Sequence, residues 1–141
     1  MFIQDEAIKL AKIFPECNRL VIIASKMCCA SVALWIMGID EKEHLSIIAD
    51  ELGKSLDDEC TVYWDKFFEK VAGRKINVEF KDIKKESELK QIKGRIAVRY
   101  DYNGHSHWVG YENGKLAYNS LESSACVKFG KPTTTRIITL A

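Results

Sequence analysis

Prolines number two, histidines three, and no Cys-x-x-Cys pair occurs anywhere in the 141 residues. The missing Cys-x-x-Cys removes the simplest redox motif. Five cysteines, two of them adjacent and none at a recurring spacing, make a poor disulfide framework and suit a reducing compartment. Neither sign of charge is in excess. A formal net charge of +1 argues against electrostatic binding to nucleic acid or to an anionic membrane, each of which needs a basic excess on one face. A clean apolar run of about twenty residues is also lacking. Leu20 to Ile39 has the length but contains Lys26, so it reads as a buried core helix. Asp5 and Glu6 precede any apolar run, unlike a secretory leader. The expectation is a cytoplasmic protein with no nucleic-acid or membrane partner. No linker, repeat or low-complexity stretch divides residues 1–141, so one domain is expected.

What the chain does have is core material. Apolar residues make up 47%, enough to need no metal or disulfide staple at this length. Ile3, Ala7, Leu10, Ala11 and Phe14 fall on one helical stripe that Pro15 ends. Ser25 to Gly38 is an apolar helix with Cys28-Cys29 near its start and a glycine at its close. Asp40 and Glu43 read as a capping box opening a further helix on Leu45, Ile48, Ala49 and Leu52, closed at Gly53. Thr61 can cap a last long helix ending at Gly73.

From Ile76 the period changes from helical to alternating. Ile76–Phe80, Arg95–Tyr102, His105–Glu112, Lys115–Asn119, Ala125–Phe129 and Thr135–Leu140 read as strands, with Asn103-Gly104 and Asn113-Gly114 as hairpin turns. The charged run Lys81 to Arg95 mixes signs as a solvated helix face does. Helices first and an antiparallel meander afterwards give an α+β fold.

A thiol in the first turn of a buried helix lies where the macrodipole favours the thiolate, the reactive form. Cys29 shares its face with Val32, Ala33, Ile36 and Met37; Cys28 shares a more mixed one with Ser31, Val32 and Trp35. The uniformly apolar face favours Cys29, with Cys28 as the alternative. A cysteine nucleophile needs a base within reach and a group that orients the base. His107, alternating with Val109 and Tyr111 on a strand, is the candidate base; His44 is set aside as exposed. Asn119 is the candidate orienting group, subject to register. With a two-residue turn at Asn113-Gly114, His107 lies opposite Ser120 and Asn119 points to the other face. A three-residue loop, or a bulge with the same effect, brings Asn119 to His107. Cys28, Cys29, Cys60, His105, His107 and Cys126 are zinc-ligand types, but adjacent cysteines and a His-x-His pair rarely converge on one ion. No metal or cofactor is expected.

A cysteine at a helix start, His107-Trp108-Val109 on a strand, then Tyr118-Asn119-Ser120: this order resembles the papain-like fold, nearest its bacteriocin-processing (C39-type) peptidase branch. Cys29-Ala30-Ser31-Val32-Ala33-Leu34 fits the first motif of that branch. Tyr118-Asn119-Ser120-Leu121, Ser124, Val127-Lys128, Gly130-Lys131 and Thr135-Arg136-Ile137 also resemble a family of small papain-like proteins associated with phages and spirochaetes. The resemblance implies N-terminal helices, the nucleophile helix among them, packed on a C-terminal antiparallel sheet. It also implies a Cys29–His107–Asn119 constellation acting through an acyl-enzyme on peptide or isopeptide bonds of a peptide or protein substrate. Two positions depart from the pattern. The family's glutamine a few residues before the nucleophile has only Asn18, Ser25 and Lys26 near its place, with Gln4 far off on the first helix, and Ala30 stands where a glycine is usual. The alternative is the same scaffold without an activated thiol, serving as a binding module.

Overall fold

The computed structural model describes residues 3–13, 28–55, 69–70, 73 and 75–140. The expected helix over residues 61–73, and Cys60, lie for the most part outside them. Helix α1 spans Ile3–Ile13, α2 covers residues 28–36, and α3 spans Glu41–Ser55. Strand β1 (Ile76–Asp82) follows, then a 3-10 helix over Glu86–Gln91. The chain continues through β2 (Arg95–Tyr102), β3 (His105–Glu112) and β4 (Lys115–Tyr118), a short helix α4 (Ala125–Phe129), and β5 (Lys131–Leu140). All strand pairs are antiparallel, in the order β1-β5-β2-β3-β4. The fold is α+β.

Local chemistry explains the helix ends. Gly38, at φ +78°, lets α2 stop in a Schellman turn: Ile39 N–H donates to Leu34 O at 3.1 Å and Gly38 N–H to Trp35 O at 3.0 Å. Asp40 then caps α3, its Oδ1 accepting from Lys42 N–H at 3.1 Å.

Alternation along the strands gives the sheet two apolar faces. One carries Ile76, Val78, Ala97 and Tyr118 against Ala7 of α1, Val32, Ala33 and Leu34 of α2, and Ile48 of α3. The other carries Ile96, Val98, Tyr100, Val109 and Tyr111 against Leu89 of the 3-10 helix and Cys126 of α4. Burial on both faces fixes the register, because a one-residue slip would exchange the two sets.

Two elements differ from expectation. Ala125–Phe129 is helical rather than extended: Ser124 stands at its N-cap and its hydroxyl accepts from Val127 N–H at 3.4 Å. Five alternating residues cannot separate strand from helix by period, and the cap decides. The last strand begins at Lys131, earlier than expected, and runs through Pro132. It can do so because the β2–β5 register shifts between Arg99 and Tyr100, and a bulge tolerates the missing N–H of proline.

Gly110 sets how closely α2 approaches the sheet. A Cβ there would lie 2.4 Å from the Trp35 ring, which stacks on Tyr118 at 5.7 Å and carries the Arg95 guanidinium 4.4 Å from its centroid. Gly110→Ala is expected to cost about 1–3 kcal/mol of stability through overpacking, read as a lower urea midpoint. An unchanged midpoint would mean that the α2–sheet contact is loose.

Candidate active site

His107 lies on β3, 4% exposed. Whether Asn119 reaches it depends on the hairpin. Asn113 (φ 50°) and Gly114 (φ 81°) both have positive φ, as a two-residue type I′ turn requires. Glu112 pairs with Lys115 and Tyr111 with Leu116, the register that would send Asn119 to the wrong face. A bulge then intervenes: Gly110 pairs with Tyr118, one residue on. The shift reverses the alternation, and His107 Nε2–H donates to Asn119 Oδ1 at 2.7 Å. The same oxygen accepts from Leu121 N–H at 3.1 Å, so it is the acceptor end of the amide and the ring nitrogen facing it carries the proton. Nδ1 remains for the sulfur.

The thiol beside that ring belongs to Cys28. Cys28 is hydrogen-bonded to His107 and receives the Trp108 backbone N–H, two residues beyond the last pairing of β3 with β4 at Gly110. Cys29, favoured on sequence, is partly buried and interacts with Cys28 rather than with the histidine. The apolar face chosen for it packs into the core, which takes Cys29 away from the cavity and leaves the mixed face for chemistry. Cys28 and His107 line a cavity of about 270 Å³ together with Gln4, Tyr102, Leu121 and Ser124; Cys29 does not reach it.

Electrostatics follow the contacts. The Cys29 S–H donating to the Cys28 sulfur, together with the His107 imidazole and the Trp108 N–H, holds the Cys28 thiol well below its usual range, although burial opposes this. Cys29 is pushed the other way, first by that hydrogen bond and then by burial. Burial alone would lower the His107 pKa, but the Cys28 sulfur and Asn119 outweigh it and raise the value. A depressed thiol beside an elevated imidazole defines a pH window in which both are charged.

No family model, curated protein or solved structure matches the chain. The site therefore rests on its own geometry.

Gln4 is the residue that sequence order did not place here. It is 5% exposed on α1, and its Oε1 accepts from Ser120 Oγ at 2.9 Å, while its backbone N–H donates to Ser120 O at 2.8 Å. Ser120 follows Asn119 directly, so one loop fixes both the histidine's partner and the glutamine. Asp5 Oδ2, accepting from Glu122 N–H at 3.0 Å, ties α1 to the same loop.

His44 is fully buried, not exposed. Its Nε2–H donates to Ile39 O at 2.9 Å, which makes Nδ1 the acceptor for Ser31 Oγ and Tyr118 OH, each at 3.3 Å. Ser31 and Tyr118 are also hydrogen-bonded to each other, so three elements are joined by one polar knot inside the apolar layer. Trp35, Tyr111 and Trp108 pack against neighbours and stay out of the cavity. A larger cleft of about 530 Å³, between Glu86, Lys90 and Lys115, is lined by neither cysteine nor histidine. Among the described residues no three His, Cys, Asp or Glu side chains are placed to hold a metal ion, and no helix is long and apolar enough to cross a membrane.

Proposed function

We propose that this protein is a cysteine hydrolase of papain-like type, with Cys28 as nucleophile, His107 as acid and base, and Asn119 orienting the ring. The observation that carries this is the position of one imidazole between the Cys28 sulfur and Asn119 Oδ1 on the wall of a cavity of about 270 Å³. The expected Cys29 gives way to Cys28 on that contact. In this reading the Cys28 thiolate attacks a substrate carbonyl carbon. The developing oxyanion takes a hydrogen bond from the Gln4 amide, whose acceptor end is occupied by Ser120. His107 passes its Nδ1 proton to the leaving nitrogen, the C–N bond breaks, and a thioester remains. His107 then takes a proton from water, hydroxide adds to the thioester, and the thiolate is released. Peptide or isopeptide bonds are the substrate class, in keeping with the papain-like resemblance.

Acetylation by p-nitrophenyl acetate, followed by peptide mapping, tests the reading. A transient acetyl group is expected on Cys28, with its rate of formation reduced about 10²–10⁴-fold in His107→Ala. Absence of any Cys28 adduct in the wild type would leave a binding scaffold and no enzyme.

A further inference from the structure

The cavity has one wall that catalysis does not use. Tyr102, at the end of β2, lines it beside Cys28 and His107, and the Phe129 ring leans on Tyr102 at 5.7 Å and 43°. Both rings face water, 41% and 69% exposed, although each is large and apolar. A single exposed aromatic calls for no explanation, but two in contact at the rim of a nucleophile's cavity form a contiguous surface. The backbone at both is anchored. Tyr102 adjoins the Asn103-Gly104 turn, and its backbone N–H donates to the Cys126 sulfur of α4. Next to Phe129, Gly130 sits so close to β2 that an added Cβ would lie 2.4 Å from Asp101 O. None of the side chains lining the cavity is Asp, Glu, Lys or Arg, and Leu121 adds a further apolar surface.

We propose that the Tyr102–Phe129 pair is the specificity-determining subsite of the cavity, receiving an aromatic or large apolar side chain of a peptide next to the bond that Cys28 attacks. This rests on the hydrolase reading for its orientation. Prepositioned rings lose little freedom on binding and give an aromatic guest an edge or face to pack on. With no Asp, Glu, Lys or Arg on the lining, the Tyr102–Phe129 wall offers a charged side chain no ion pair in exchange for its water.

The test uses the full chain with three alkylating probes: N-acetyl-phenylalanine chloromethyl ketone, the glutamate counterpart, and iodoacetamide. In the wild type the phenylalanine probe is expected to label Cys28 roughly tenfold or more faster than the glutamate probe, the size of discrimination that an apolar subsite gives. Phe129→Ser should erase most of that ratio and Phe129→Leu should keep most of it, with iodoacetamide rates unchanged in both. Equal rates in the wild type, or a ratio that survives Phe129→Ser, would overturn the proposal. Slow iodoacetamide labelling of Cys28 would instead count against the hydrolase reading. The subsite is then judged by NMR titration with N-acetyl-phenylalaninamide. Saturating shifts at Tyr102 and Phe129 that vanish in Phe129→Ser uphold it, and no shifts in the wild type refute it.

Discussion

Cys28→Ala is expected to abolish acyl-enzyme formation, a loss of about 10⁴-fold or more, while Cys29→Ala retains it. The two thiols are neighbours in sequence and differ in what they touch. Cys28 has the imidazole, the Trp108 N–H and the cavity; Cys29 has the Cys28 sulfur. Cys29→Ala still has a consequence, because it removes the S–H that donates to the Cys28 sulfur. With that donor gone the Cys28 pKa rises, so the onset of alkylation moves to higher pH with its maximum rate kept. Site-resolved mass spectrometry across a pH series separates these outcomes. Activity that survives in Cys28→Ala and disappears in Cys29→Ala would reverse the assignment.

Gln4→Ala is expected to reduce ester turnover about 10²–10³-fold, the usual cost of one oxyanion donor. Alkylation by iodoacetamide develops no oxyanion, so its rate at Cys28 should not change. Gln4→Glu makes the comparison independent of folding. A carboxylate there still accepts from Ser120 Oγ, which preserves the tie between α1 and the Asn119 loop, but it cannot donate. Both variants should therefore lose turnover with Cys28 labelling intact. Turnover within about threefold of the wild type in both would remove Gln4 from the mechanism.

Much of the scaffold was legible because its signals are local. The Gly38 stop, the Asp40 cap and the two Asn-Gly turns each depend on one or two residues, and strands β1 to β4 follow from alternation. Ala125–Phe129 reads as a strand in the sequence because five residues carry too little period, and only the Ser124 cap marks it as a helix. The burial of His44 is not legible in the sequence because it depends on Ser31 and Tyr118, distant partners that helix periodicity does not reveal. The His107–Asn119 contact was legible only as a conditional, since the Asn-Gly turn alone gives the wrong register and the bulge at Gly110/Tyr111 corrects it. Which of Cys28 and Cys29 touches His107 is not legible from the polarity of a helix face, because the contact depends on where β3 lies against α2. Gln4 left a trace that was available. It stands in line with Ala7 and Ala11 on the buried face of α1, where an amide needs a buried partner.

The central claim is a thiolate on Cys28 stabilised by His107, and the most direct measurement is the thiolate's ultraviolet absorbance across a pH titration. Spectra of the wild type would be compared with those of Cys28→Ala and His107→Ala. A lowered thiol pKa keeps the thiolate to lower pH, and a raised imidazole pKa keeps its counter-ion to higher pH. The wild type should therefore show one thiolate persisting well below the ordinary value of about 8.5. That signal should be absent in Cys28→Ala and displaced upward in pH in His107→Ala. If every thiol in the wild type ionises only near about 8.5, or if the low-pH thiolate survives the loss of His107 unshifted, the pairing does not exist and the account fails.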